Sequence, residues 1–248
     1  MGTDTISKAE KCAKFKVAFI TGATIFIMGY ANALALHTAQ LGLMITPQTG
    51  NVIWMGLNPV LGEWGAWASN LLLFFGFVFG CGFAVMPRKL IKSTTGLFFF
   101  KWLLFALPVA LLPFYMRIID NSQFLFLMMG LSAGFGVGFF RIMYHLDQIN
   151  NAMATGSVRF VGVYFAEAFL KGNKKETFTF ILFVICVALF ALGATAFGIA
   201  THIDYALGII PEITRDVDRA AAPLFSAVNM ALLAFCIIPM FCAPKDAK

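Results

Sequence analysis

Charge is what this chain has least of. Only 12% of its 248 residues are Asp, Glu, Lys or Arg, against about 25% in ordinary soluble domains. With 60% hydrophobic residues and a mean hydropathy of +0.84, a water-soluble globule has nowhere to hide the apolar surface. Cysteine is sparse as well. Cys12, Cys81, Cys186, Cys236 and Cys242 form no CxxC pair, which argues against a disulfide framework or a zinc site and leaves them as expected packing residues. The HExxH, P-loop, GxSxG and EF-hand patterns are all missing. The expectation is a protein that is not an enzyme and has no cofactor. Basic residues outnumber acidic ones, giving a net charge of +6 and a pI near 9.1. They form no stripe interleaved with exposed aromatics, so nucleic acid is not the expected partner.

What is present is long apolar blocks. A helix needs about 20 residues to cross roughly 30 Å of hydrocarbon. Runs of that order cover Val17–Leu36, Trp67–Val85, Leu97–Tyr115, Phe124–Met143, Phe178–Ala200 and Ala222–Cys242. The expected class is all-α: a polytopic membrane helix bundle of six transmembrane helices, one transmembrane domain over 1–248, with the lipid bilayer as its first partner. The first run is too long for a cleaved signal and is expected to stay as an anchor. Six spans put both termini on one side. Lys8, Lys11, Lys14, Lys16, Arg88, Lys89, Lys92, Arg141, Arg159, Lys171, Lys174, Lys175, Lys245 and Lys248 fall at or near that side, whereas Arg117, Arg215 and Arg219 fall opposite. The positive-inside rule then predicts cytoplasmic N- and C-termini in the cell membrane.

The chain repeats itself. Thr49-Gly50-Asn51-Val52-Ile53-Trp54-Met55-Gly56 follows the first run, and Thr155-Gly156-Ser157-Val158-Arg159-Phe160-Val161-Gly162 follows the fourth. Upstream, Gly29 and Gly136 precede the two threonines by 20 and 19 residues. The units extend approximately over 15–118 and 122–243. Three spans per unit force opposite insertion of the second, so the pattern predicts two inverted three-span repeats, the architecture of many secondary transporters. The connections Leu43–Leu61 and Ser157–Leu170 are apolar yet too short to cross, as in re-entrant or interfacial segments. Thr-Gly-Asn and Thr-Gly-Ser are expected either to cap short helices starting at Val52 and Val158, leaving N–H groups for a polar ligand, or to form simple turns before interfacial helices.

Polar groups inside the spans are candidate functional residues because hydrocarbon penalises them. Asn32, Asn70 and Asn229 each read either as a substrate contact or as an interhelical hydrogen bond, the bond being the leading reading for Asn70 and Asn229. Arg141, beside His145 and Asp147, reads as a substrate ligand or an anchor for lipid phosphate. Lys101 is expected to snorkel. Gly76, Gly80 and Ala84, and Gly130, Gly134 and Gly138, form small-residue faces for close helix packing. Pro108, Pro113 and Pro239 predict kinks. Asp204, Glu212, Asp216 and Asp218 are expected on a solvated surface helix.

Gly29-Tyr30-Ala31-Asn32-Ala33, Gln48-Thr49-Gly50-Asn51 with Gly56, and Phe140-Arg141 followed by Thr155-Gly156 resemble the YoaK family of bacterial six-span membrane proteins, a domain of unknown function. The resemblance covers nearly the whole chain and implies the six-span fold. Two departures stand out: the family usually has Asp at the position of Asn32 and commonly Asn at that of Ser157. The resemblance therefore does not carry a proton- or cation-coupling role to Asn32. The leading expectation is a small-molecule transporter or permease with an unknown substrate, bound by Asn32, Thr49, Gly50, Asn51, Arg141, Thr155, Gly156 and Ser157, and with a homodimer as a plausible assembly. The alternative is a non-transporting scaffold that binds a protein or lipid.

Overall fold

The computed structural model describes residues 8–38, 48–84, 91, 93–110, 122–144, 161–168, 172, 174–209 and 226–242. Among them every regular element is helical: α1 (Lys8–Thr38), α2 (Gln48–Leu57), α3 (Trp64–Phe83), α4 (Thr94–Ala110), α5 (Ser122–Tyr144), α6 (161–168), α7 (Lys174–Ala206) and α8 (Ala227–Ile237), which tightens into a 3₁₀ turn over Ile238–Cys242. Within α1, α3 and α7, the stretches Ala18–Leu36, Trp64–Phe83 and Thr177–Ala206 are long and apolar enough to cross a membrane, and α4, α5 and α8 contribute shorter apolar stretches. The protein is a helical membrane protein.

The expected kink at Pro239 takes the form of the change from α to 3₁₀ at Ile238. Proline has no N–H to continue the ladder. Pro108 lies within α4, and Pro113 lies outside the described residues. The span expected from Trp67 begins three residues earlier, at Trp64, because the preceding turn ends in left-handed Gly62 (φ 77).

Two glycine-mediated crossings dominate the packing. On α3 and α5 a β-carbon at Gly76 would fall on the Leu127 carbonyl, at Gly80 on that of Leu131, at Gly130 on that of Leu73 and at Gly134 on that of Phe77. Contacts advance along both helices together, so the pair is parallel. On α1 and α7 a β-carbon at Gly29 would fall on the Phe190 carbonyl and one at Gly193 on that of Phe26. Without side chains at these points the backbones touch, the arrangement that drives association where lipid removes the hydrophobic gain. The small-residue faces expected at Gly76/Gly80 and Gly130/Gly134 are therefore used. Gly136 meets the Phe105 ring instead.

A buried aromatic core joins the two pairs through α4 and α8. Phe98 stacks on Trp102 at 6.1 Å, Trp102 meets Phe105 at 5.4 Å, and Tyr30 packs edge-on against Phe197 and Phe235 at 5.5 and 5.6 Å. Three polar tethers cross it. Tyr30 Oη donates to the Val228 carbonyl at 2.7 Å, Trp102 Nε1 to that of Cys236 at 2.8 Å, and Ser132 Oγ to that of Phe105 at 2.7 Å. Each gives a buried donor the partner that a water-free interior demands. Outward, Phe75, Phe79 and Phe83 form an exposed ladder with successive rings 6.3 Å apart on α3, a surface suited to acyl chains.

Candidate functional site

The short helix α2 has its polarity inside out. Val52, Ile53, Trp54 and Leu57 are exposed, whereas Asn51 and Asn58 are each only 2% exposed. Asn51, the half-buried Met55 and Asn58 follow the i, i+4, i+7 spacing of one helical face, and α2 packs that face against α3. In water this segregation would bury amides and expose tryptophan at a loss. In a bilayer the outer face meets lipid and the inner face collects polar groups.

The hinge between α2 and α3 follows from the chain itself. Pro59 has no N–H, so the Met55 carbonyl lacks its i+4 donor. The next amide, Val60, turns to the Leu57 carbonyl at 3.0 Å rather than continuing the helix. Glu63 N–H then donates to the Asn58 carbonyl at 2.8 Å, and Gly62 supplies the left-handed residue. Oxygen acceptors are thus left at the C-terminal, negative end of α2.

α2 packs on α3, where Ser69 and Asn70 are both buried. Ser69 Oγ donates to the Gly65 carbonyl at 3.1 Å and Asn70 Nδ2 to the Ala66 carbonyl at 2.9 Å. A carbonyl only accepts, so the Asn70 amide must present its NH₂ to Ala66. Its Oδ1 is then left, fully buried, with no donor among the described residues. The expected interhelical bond of Asn70 is therefore corrected: the bond is made within its own helix. A buried acceptor without a donor costs about 1–3 kcal/mol.

The remaining candidates are dispersed. Asn32 is buried on α1, where its Nδ2 donates to the Met28 carbonyl at 2.7 Å. α1 makes its main contacts with α7, α8 and α5, whereas α2 makes its main contacts with α3, so Asn32 is not drawn to the α2 face. Thr49, Gly50 and Asn51 lie in the first turn of α2, which begins at Gln48. The expected cap before a helix at Val52 is therefore corrected: the motif opens the helix, where N–H groups have no intrahelical partner to lose and Gly and Asn are tolerated. Arg141 belongs to α5, its side chain outside the described residues, and Thr155, Gly156 and Ser157 lie outside them altogether. The segment after Ser157 does contain a helix, α6, with Tyr164 stacked on Phe183 of α7 at 5.6 Å and Phe165 against Phe180 at the same separation.

Asp204 is a second correction. The expected solvated acid is 1% exposed at the end of α7. Its carboxylate accepts the N–H groups of Ala227 and Val228, the latter at 3.1 Å. Ser226 Oγ accepts the N–H of Asn229. The start of α8 is thus capped twice, once from its own chain and once from α7, and the negative charge sits at the positive end of the helix. No cluster of His, Cys, Asp or Glu able to hold a metal occurs among the described residues.

The sequence model of a family described as "Protein of unknown function (DUF1275)" matches residues 20–213. The chain belongs to this family. YoaK proteins are members of it, so the resemblance drawn from the Thr-Gly motifs points to the right relatives. The match takes in α2, α3 and Asp204, the elements described above. No curated protein and no solved structure gives a significant match.

Asn58 and Ser69 escaped the sequence reading. The signal for Asn58 was its place seven residues after Asn51, with a proline immediately after it.

Proposed function

We propose that this member of the DUF1275 family is a small-molecule transporter in which α1, α3, α4, α5, α7 and α8 with its 3₁₀ turn cross the membrane as two inverted three-span halves, with both termini cytoplasmic. The observation that carries this reading is the reciprocity of the glycine crossings. Gly29 meets Phe190 as Gly134 meets Phe77, and Gly193 meets Phe26 as Gly80 meets Leu131. Subtracting residue numbers gives 105 for Gly29 to Gly134 and for Phe26 to Leu131; it gives 113 for Phe77 to Phe190 and for Gly80 to Gly193. One shift relates α1 to α5 and another relates α3 to α7, at backbone-contact points. This favours the repeat and replaces Gly136 by Gly134 as the counterpart of Gly29.

Each crossing joins a helix of the first half to one of the second. The units that move are then α1 with α7 and α3 with α5, rather than the two sequence halves. Close backbone contact keeps each pair rigid, while the side-chain contacts through α4 and α8 can shear. Substrate would enter between the pairs, near the polar face of α2; Arg141 and the Thr155–Ser157 segment complete the proposed site from the second half. The basic residues around the N-terminus support the orientation.

The decisive experiment is flux. Proteoliposomes of the purified chain, offered a panel of labelled small metabolites under imposed proton and sodium gradients, are expected to accumulate at least one, with uptake lost in Asn51→Leu. Binding of a panel compound without flux under any gradient would overturn transport and favour the scaffold reading.

A further inference from the structure

We propose that the seam between α1 and α8 is a binding site for one anionic phospholipid, with its acyl chain in an apolar groove and its phosphate on Lys16. The two helices run antiparallel: Tyr30 bonds the Val228 carbonyl, and Phe26 packs edge-on against Phe235 at 4.8 Å. Beyond that ring pair the crossing does not close. Phe19, Ala23 and Ile27 of α1, with Ile238 and Pro239 opposite, line a groove of about 110 Å³ that the two rings bound at one end. Ile27 and Pro239 are buried, whereas Phe19 and Ile238 are exposed, so the groove opens toward lipid. No lining side chain carries a polar atom. The site does not depend on the transport reading.

The gap follows from the local sequence. With proline at 239, α8 gives way to the 3₁₀ turn over Ile238–Cys242, which winds more tightly and is slimmer than the α-helix it continues. Across from it α1 presents Ala23, and a methyl group does not fill the space.

Size, length and charge choose the occupant. The volume is well below the roughly 300–1,000 Å³ of a site for a compact small molecule, which leaves a slender ligand. Lys16 precedes Phe19 by three residues, Ala23 by seven and Ile27 by eleven, the spacing of a single helical face. It is half-buried and lies just outside the apolar stretch Ala18–Leu36. From Lys16 to Ile27 the helix rises about 16 Å, close to the depth of one leaflet, roughly half of a 30 Å hydrocarbon core. A lipid with its headgroup at Lys16 therefore ends its chain near Ile27. The lysine stem leans toward the N-terminus of α1 and so toward the headgroup layer, and no carboxylate pairs with it among the described residues. An ammonium above an apolar slot is the complement of a phosphate that carries an acyl chain. A zwitterionic headgroup brings a cation of its own to the lysine and gains less.

Native mass spectrometry of the purified full chain, offered dioleoylphosphatidylglycerol or dioleoylphosphatidylcholine, reads the site directly. One retained lipid is expected, with phosphatidylglycerol held about fivefold more tightly, the share of one lysine beside anionic lipid. Lys16→Gln is expected to erase that preference while the chain stays bound. Ala23→Leu, which fills the groove, is expected to weaken both lipids about tenfold and to leave the unfolding midpoint unchanged or higher. Should Ala23→Leu not fold, Ala23→Val narrows the same groove. Excess glycerol 3-phosphate is expected to displace neither lipid; displacement by it would assign the binding to the anion alone and overturn the groove as its seat. Equal retention of the two lipids by the parent, or undiminished retention in Ala23→Leu, overturns the site. So does a parent dimer that Ala23→Leu dissociates, which would make the groove a contact between two copies. Lipid held by a chain that shows no flux would leave this site standing and remove the transport reading; flux in a chain that holds no lipid would do the reverse.

Discussion

The segments that follow α1 and α5 carry nearly the same motif, and each leads to a short helix packed on the next long one. They differ in the chemistry they place there. Asn51 and Asn58 are buried in and just after α2, which packs on α3, whereas on α6 the half-buried Tyr164 and the exposed Phe165 lie against Phe183 and Phe180 of α7. A left-handed glycine follows each short helix, Gly62 after α2 and Gly172 after α6. The α6 side behaves as a clamp made of rings, favourable wherever it is dry. The α2 side carries an acceptor without a donor, which stability alone does not explain. A buried acceptor kept without a donor beside α2, against an aromatic contact beside α6, makes the first region the place where function is to be sought.

The comparison is tested most severely at the glycine crossings that define the counterparts. Gly29→Val and Gly134→Val each place a side chain on a backbone carbonyl, Phe190 or Phe77. Each is expected to cost about 3 kcal/mol or more and to lose the monodisperse peak in size-exclusion chromatography. A benign result at one glycine and a lethal one at the other would break the equivalence. Next, Phe183→Ala should cost about 3–4 kcal/mol in chemical unfolding, because it empties the ring clamp. Asn70→Leu, at the position that the α3-to-α7 shift matches to it, is expected to raise stability by about 1 kcal/mol, because it deletes the unpaired acceptor. Opposite signs at the two positions sharpen the contrast; equal losses erase it. Asp204→Ala is expected to cost about 1–2 kcal/mol by uncapping α8, seen as a lower unfolding midpoint, with Asp204→Asn in between. Smallest is Phe79→Leu on the outer ladder, within about 0.5 kcal/mol of the parent.

Apolar run length made the helical membrane class legible, and the small-residue spacing of Gly76, Gly80, Gly130 and Gly134 announced a close crossing. Nothing in one sequence says which helix such a face will meet, so the pairing of α1 with α7 and of α3 with α5 had to come from the structure. Asp204 was misread for the same reason. In the chain it stands among acids near Arg215 and Arg219, and only folding brings the N-terminus of α8, 23 residues later, onto its carboxylate. Asn58 was missed because loops are expected to be polar. Its meaning depends on the outward Trp54 and Leu57, which turn an ordinary loop asparagine into part of a buried face.

The glycine crossings also set an order of assembly. α1 leaves the ribosome long before α7 exists, and α3 waits for α5, so the N-terminal half enters the membrane with both of its closest-packing faces uncovered. Those faces are too small and too bare to be stabilised by lipid alone. Until the second is made, the first half has no partner for these faces, and the two portions, expressed separately in one cell, are expected to find each other.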